Sequence, residues 1–166
     1  MAETDEELFE LASDLGKALV ASGMTVACAE SCTGGWIAKA ITDVPGSSDW
    51  FGWGVVTYAN AAKIGALGVA PELLAAHGAV SEPVVRAMAE GVLRVSGADV
   101  SVAVSGVAGP DGGTSEKPVG TVWIAWARGS GVTTINVQFD GDRESVRRQT
   151  VAAALRGLHD VLRNDD

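Results

Sequence analysis

Short apolar runs of strand length alternate along the chain with stretches of helical periodicity, and this alternation constrains the fold more than any other feature. Residues 24–28, 52–58 and 99–105 are runs of the first kind. Residues 119–127 and 132–139 are two more, joined across Gly129-Ser130-Gly131 as in a hairpin. The pattern predicts one α/β domain over residues 1–166, with about five strands. Because a hairpin joins the last two strands, we expect a mixed sheet.

Capping and glycine signals mark the helices. Thr4, followed by Glu7, predicts a capping box that opens a first helix ending at Gly23. A second helix is expected to carry Trp36, Ile37, Ala40 and Ile41. The remaining helices are predicted over 61–67 and 71–77, after a cap at Ser81, and from about 142 onward.

The charge balance narrows the class of function. Twelve basic and twenty-one acidic residues give a formal charge of −9, whereas nucleic-acid binders need clustered positive charge. No apolar run approaches the roughly 20 residues that cross a bilayer, and the acidic N terminus does not resemble a signal peptide. We therefore expect a cytoplasmic protein without nucleic-acid or membrane partners.

Ser31 is the first candidate for chemistry, because it lies between a strand and a predicted helix and precedes Thr33-Gly34-Gly35. Backbone N–H groups at such a junction can stabilise an anion, and a serine there lies beside a potential oxyanion hole. The alternative is that Ser31 or Thr33 simply caps the helix. The spacing leaves both open.

A serine nucleophile needs a base. His77 and His159 lie in settings that do not resemble a Ser-His-Asp triad. Lys63 has apolar neighbours that suit a desolvated, neutral amine, although an exposed helix lysine is the alternative. Tyr58 either shares the proton relay or packs at a strand end.

Two later segments suggest ligand binding. The loop 106–113 is too rich in glycine for a routine connection, but it matches no phosphate-loop motif, so its backbone is expected to approach a planar ring or a sugar. Arg143, Arg147 and Arg148 lie at the start of the last helix, where arginines can receive a phosphate. The alternative is that Arg147 or Arg148 pairs with Glu144 within the helix.

Metal and disulfide chemistry are not expected. Cys28 and Cys32 lack partner ligands at useful spacing, and Cys28 reads as a core residue. No metal and no cofactor are predicted. The five tryptophans are expected in the core or at a subunit interface.

Six separated segments, in order, resemble the C-terminal domain family of the competence-damage protein CinA. They are AESCTGG at 29–35, GVVTYANAAK at 54–63, GAVSE at 78–82, SGVAGPDGG at 105–113, KPVGTV at 117–122 and GDR at 141–143. The family also occurs alone as nicotinamide-nucleotide amidohydrolase. The resemblance implies a three-layer α/β/α fold, self-association into a homo-oligomer, and deamidation of nicotinamide mononucleotide to nicotinate mononucleotide and ammonia. Some members carry an N-terminal pyrophosphate-cleaving domain, which this sequence lacks, so that activity is expected to be absent.

The resemblance also implies roles for particular residues. Ser31 becomes the nucleophile and Lys63 its base, with Tyr58 beside them. The remaining assignments are to oxyanion and substrate binding (Glu30, Cys32, Thr33, Gly34, Ser105, Gly106, Ala108, Gly109) and to the phosphate (Gly46, Ser48, Arg143). A non-catalytic nucleotide-binding module and an amidase for another carboxamide are the alternatives.

Overall fold

The computed structural model describes residues 2–163 and arranges them as a mixed five-stranded sheet between two layers of helices. The strands are β1 (Val26–Glu30), β2 (Phe51–Val56), β3 (Val100–Gly106), β4 (Thr121–Arg128) and β5 (Gly131–Gln138). Their order is β2-β1-β3-β4-β5. β1 is parallel to β2 and β3, while β4 is antiparallel to β3 and β5, which confirms the mixed sheet with its terminal hairpin.

Six α-helices cover the two faces in the described part of the chain. They are α1 (Asp5–Ser22), α2 (Trp36–Thr42), α3 (Asn60–Leu67), α4 (Pro71–His77), α5 (Glu82–Ser96) and α6 (Arg143–Arg163). Helices α1, α2 and α6 pack together on one face, and α3 and α4 pack with α5 on the other. The three-layer α/β/α prediction is therefore confirmed.

The predicted helix signals act as expected at several ends. Thr4 and Glu7 form a reciprocal capping box, and Gly23 ends α1 in the left-handed conformation. Ser81 stands at the N-cap of α5, but its hydroxyl donates to the Gly78 carbonyl rather than accepting from the helix. None of the helices in residues 2–163 is long and apolar enough to cross a membrane.

The sheet is buried on both faces in its centre and exposed at its edge. Every residue of β1 is buried, which is typical of a parallel strand covered by helices on each side. Strand β2 at the edge is mostly exposed, with 46% of Trp53 accessible, whereas Trp50 and Trp126 are buried in the core. The predicted homo-oligomer stays a prediction.

Candidate active site

A cavity of about 280 Å³ opens at the end of the sheet where the parallel strands β1, β2 and β3 terminate. The carboxyl ends of β1, β2 and β3 lie side by side there, with Glu30 paired to Val56 and to Val104. Loops that follow neighbouring parallel strands meet at this edge, which is where open α/β sheets bind ligands. Its walls include residues 31–32, 79–80 and 105–109, together with Tyr58, Lys63 and Arg143.

Ser31 and Lys63 meet in this cavity. The Nζ atom of Lys63 lies 3.1 Å from Ser31 Oγ, and it also donates to the carbonyls of Thr57 at 2.7 Å and Tyr58 at 3.3 Å. Ser31 directly follows β1, and its N–H donates to the Val104 carbonyl of β3, which fixes the start of the turn. Lys63 is only 1% exposed, so the alternative of a surface lysine is wrong.

The position of Lys63 follows from the local chain. Helix α3 begins soon after β2, and Lys63 sits in its first full turn, where its N–H donates to the Ala59 carbonyl. Helix side chains lean toward the N-terminal end, so the lysine reaches back toward the end of β2. Lys63 and Leu67 form the buried stripe of this helix.

Burial determines the protonation states of two groups beside Ser31, the Lys63 amine and the Cys32 thiol. Desolvation lowers the pKa of Lys63 from its ordinary value of 10.5. Burial raises the pKa of Cys32 to about 12, so its thiol stays protonated near neutral pH. Of the two groups, Lys63 is the one suited to exchange a proton with Ser31.

The Glu30 carboxylate caps α2 and does not line the cavity. Its Oε1 accepts from the Thr33 hydroxyl at 2.6 Å and from the Ile37 N–H at 2.9 Å, while Oε2 accepts from the Ala38 N–H at 3.1 Å. Neither Ser31 nor Thr33 caps the helix, so that alternative is wrong. Instead of binding substrate as predicted, Glu30 satisfies the helix N–H groups from the preceding strand.

The turn between β1 and α2 presents main-chain donors beside Ser31. Gly34 and Gly35 adopt φ values of 60° and 99°, which residues other than glycine rarely adopt. The Gly34 N–H donates to the Ser31 carbonyl at 3.1 Å, so it is not available to an oxyanion as predicted. The N–H groups of Cys32 and Thr33 donate to no other residue in the described part of the chain, but only Cys32 lines the cavity, whereas Thr33 is fully buried outside it.

The glycine-rich loop after β3 forms the opposite wall. Four residues that the sequence predicts to bind substrate line the cavity: Ser105, Gly106, Ala108 and Gly109. Their role in binding stays a prediction. The loop is pinned to β4, because Val107 exchanges hydrogen bonds with Thr121 and Gly120. A Cβ on Gly106 would lie 2.6 Å from Val122 Cγ2, so only glycine fits this approach.

Arg143 and Tyr58 stand together at the exposed rim. Arg143 donates to the Gly109 carbonyl at 2.8 Å and to the Tyr58 hydroxyl at 3.1 Å. The Tyr58 hydroxyl therefore faces Arg143, and Lys63 contacts Ser31 without a relay through it. Arg148 pairs with Glu144 and Asp5 instead, as the helix-pairing alternative predicts for it.

Gly46 and Ser48 lie at the other end of the sheet. Ser48 borders a separate cavity with residues at the starts of β1 and β2, Val26 and Phe51 among them. Gly46 precedes the short 3₁₀ helix that leads into β2. Because parallel strands carry the chain away from this end, the fold of a single chain does not bring these two residues to Ser31.

The other three lysines and Cys28 lie outside the cavity. Lys17 and Lys39 pair with Asp14 and Asp43 at the surface, and Lys117 donates to the His77 carbonyl. Cys28 is fully buried in the core, as predicted. Within residues 2–163, no three acidic, histidine or cysteine side chains are grouped to hold a metal ion.

Three contributors to the site are not evident from the sequence. The Thr57 carbonyl orients the lysine, and the Arg147 side chain donates to the carbonyls of Cys32 and Thr33. Asp111 lies in the cavity wall. A main-chain carbonyl cannot be recognised from residue type. For Arg147 the sequence suggests only a phosphate or Glu144 as a partner, and not the carbonyls of the turn.

The chain was compared with known proteins. Residues 8–162 match the model of the CinA C-terminal domain. Nicotinamide-nucleotide amidohydrolase PncC of Escherichia coli K12 is 59% identical over 157 residues, covering 93% of this chain and 94% of that protein. The protein of the same name from Pseudomonas putida is 61% identical over 148 residues, covering 89% and 92%.

A solved structure agrees with this relationship. The competence damage-inducible protein A of Klebsiella pneumoniae MGH 78578 superposes with a TM-score of 0.93 at 41% identity, covering 96% of this chain and 99% of that one. The family model spans nearly all of the described residues, and the relatives align over most of their own lengths. The chain belongs to the CinA C-terminal domain family.

Proposed function

We propose that this chain hydrolyses the carboxamide of nicotinamide mononucleotide, releasing nicotinate mononucleotide and ammonia through a Ser31 acyl-enzyme. The observation that carries the proposal is the 3.1 Å contact between Lys63 Nζ and Ser31 Oγ at the floor of the cavity. The printed names of the E. coli and P. putida relatives support the same activity.

Lys63 acts as the general base. When the amine is neutral, its two N–H bonds point at the carbonyls of Thr57 and Tyr58, which leaves the lone pair facing Ser31 Oγ. Desolvation favours this neutral form. The amine takes the serine proton as Oγ attacks the carboxamide carbon.

The first tetrahedral intermediate carries a negative oxygen. We assign its stabilisation to the N–H group of Cys32, which lines the cavity, and one such donor is typically worth about 3–4 kcal/mol. The C–N bond then breaks, and the leaving nitrogen takes the proton that Lys63 holds, so ammonia departs. Water attacks the ester with Lys63 again as base, and the acid product leaves with Ser31 restored.

Substrate selection falls to the cavity wall and rim. Backbone of the loop 105–109 approaches the ring and ribose, and the Arg143 guanidinium at the rim suits a phosphate. Binding energy from the ribose phosphate would then position the carboxamide, so free nicotinamide should turn over more slowly as well as bind more weakly. Gly46 and Ser48, which the sequence predicts to bind the phosphate, lie too far along the sheet to do so within a single chain.

The decisive experiment measures ammonia release from nicotinamide mononucleotide by the wild type, Ser31→Ala and Lys63→Ala. Lys39→Ala serves as the matched control, because Lys39 is an exposed lysine paired with Asp43. The proposal expects turnover in the wild type and control only, with all four proteins folded by circular dichroism.

Two other results would overturn it. A wild type that binds the mononucleotide in calorimetry but releases no ammonia would be a non-catalytic binding module. Hydrolysis of free nicotinamide, or of an unrelated amide, as efficiently as the mononucleotide would indicate an amidase for another carboxamide.

A further inference from the structure

Arg147 reaches from α6 to the turn that holds Ser31, although it does not line the substrate cavity. Its Nε donates to the Cys32 carbonyl at 3.0 Å and its Nη2 to the Thr33 carbonyl at 2.9 Å. The guanidinium also lies over the ring of Trp36, 5.5 Å from its centroid. One side chain, 114 positions away from Thr33, thus holds two consecutive carbonyls of the turn.

These two contacts fix the planes of the peptide groups next to Ser31. In a trans peptide the C=O and N–H point in opposite directions. With the Cys32 carbonyl held by Arg147, the Thr33 N–H of the same peptide must point away from the guanidinium. The peptide group that follows Cys32 is therefore held in one orientation by Arg147.

A second path runs through the turn to the proposed oxyanion donor, the Cys32 N–H. Arg147 holds the Thr33 carbonyl, and the Gly34 N–H of that peptide donates to the Ser31 carbonyl at 3.1 Å. The Ser31 carbonyl belongs to the same peptide as the Cys32 N–H. Hydrogen bonds in such a chain polarise one another, so a cation at one end strengthens the N–H donor at the other.

We propose that Arg147 is a positioning residue that orients the turn and polarises the oxyanion-binding amide of Cys32. This inference rests on the proposed amidohydrolase function. Arginine suits the task because its planar fork can hold two carbonyls at once, whereas a lysine ammonium is a point donor. The role requires no contact between Arg147 and the substrate.

The test compares Arg147→Gln and Arg147→Lys with Arg148→Gln in the full chain. Arg148 is a matched control, because it also lies over Trp36, 4.8 Å from the centroid, but pairs with surface carboxylates. We expect Arg147→Gln to lower kcat for the mononucleotide about tenfold or more while KM changes little. Arg147→Lys should fall between, and Arg148→Gln should match the wild type.

The pH dependence separates positioning from general damage. The pH at which kcat reaches half its maximum reports Lys63, so it should be the same in Arg147→Gln as in the wild type. A wild-type kcat in Arg147→Gln, or a loss seen only in KM, would overturn the inference. If Arg147→Gln does not fold, a wild-type kcat in Arg147→Lys would overturn it equally.

A second readout does not depend on the natural substrate. A fluorophosphonate labels an activated serine through an oxyanion-like transition state, and mass spectrometry locates the label on Ser31. The labelling rate should fall about tenfold in Arg147→Gln and stay unchanged in Arg148→Gln. Labelling of Ser31 without ammonia release would overturn the proposed function, but the labelling rates of the variants would still test the role of Arg147. A wild type that neither labels nor turns over would overturn both.

Discussion

The amine of Lys63 lies 2.7 Å from the Thr57 carbonyl and 3.1 Å from Ser31 Oγ, so the shorter of these two bonds orients the lysine rather than activating the serine. Thr57 itself is held to the sheet, since its N–H donates to the Glu30 carbonyl at 2.8 Å. The strand end that precedes α3 thereby sets the direction of the lone pair that faces the nucleophile.

The pH profile of turnover follows from the buried lysine. Because the base must be neutral, kcat should rise with pH through the pKa of Lys63, which burial lowers from 10.5, and level off above it. A half-maximal kcat below pH 10.5 is expected in the wild type and in Lys39→Ala. Lys63→Arg should be inactive throughout, because a guanidinium is not deprotonated in this range. A rate that falls as pH increases from neutral would contradict the assignment of the base.

Stability should carry the signature of the same group. Between the lowered pKa of Lys63 in the folded chain and 10.5 in the unfolded chain, the unfolded state binds more protons. The free energy of unfolding of the wild type, minus that of Lys63→Met, should therefore increase with pH in this window, by at most about 1.4 kcal/mol per unit. Urea unfolding at several pH values measures the difference. A difference that stays constant or decreases with pH would argue against a lowered pKa.

Replacing the carboxylate of Glu30 should cost stability. Glu30 is fully buried and accepts hydrogen bonds from Thr33, Ile37 and Ala38, and an amide in Glu30→Gln cannot accept them all. We expect a loss of about 2–3 kcal/mol in the free energy of unfolding. Glu82→Gln is the control, because Glu82 pairs with Arg86 at the solvent-exposed surface, where an ion pair contributes at most about 1 kcal/mol to the free energy of unfolding. Equal losses in the two variants would show that Glu30 does not cap α2.

The close approach at Gly106 predicts a second stability effect with a loss of activity. In Gly106→Ala the added Cβ would lie 2.6 Å from Val122 Cγ2 and 2.9 Å from the Thr121 carbonyl oxygen. The loop must shift away from β4, at a cost of about 1–3 kcal/mol, and turnover should fall because the cavity wall moves. Gly52→Ala meets no atom within 4 Å and should change the unfolding free energy by less than about 1 kcal/mol. Unchanged unfolding and turnover in Gly106→Ala would show that the wall tolerates a side chain.

Arg143 should matter only for substrates that carry a phosphate. Loss of a charge-assisted contact in Arg143→Ala should increase KM for the mononucleotide about tenfold or more. The kcat/KM of Arg143→Ala for nicotinamide riboside, which has no phosphate, should change little. Arg163→Ala is the control, because Arg163 lies at the exposed end of α6, and its kcat/KM should change little for either substrate. Steady-state kinetics with the two substrates make this comparison. Equal losses for both would assign Arg143 to the shape of the rim instead of to the phosphate.

Local sequence determined the elements of this fold and the residues able to do chemistry. The Thr4 and Glu7 capping box, the glycine that ends α1 and the apolar periodicity act within a few residues, so they can be read without a structure. The hairpin of β4 and β5 is equally local, and it made the mixed sheet predictable. The motifs around Ser31 and Lys63 identified the family and its candidate pair.

Tertiary structure decided which of those residues meet. Sheet order joins Ser31 to a lysine 32 positions away, and packing of α3 buries that lysine against the usual preference for exposure. Helix packing brings Arg147 to the turn, while its neighbour Arg148 stays with Glu144. The fold also turns Glu30 into a helix cap and leaves Ser48 at the opposite end of the sheet. Periodicity encodes faces of single elements, whereas contacts between elements depend on how the whole chain packs.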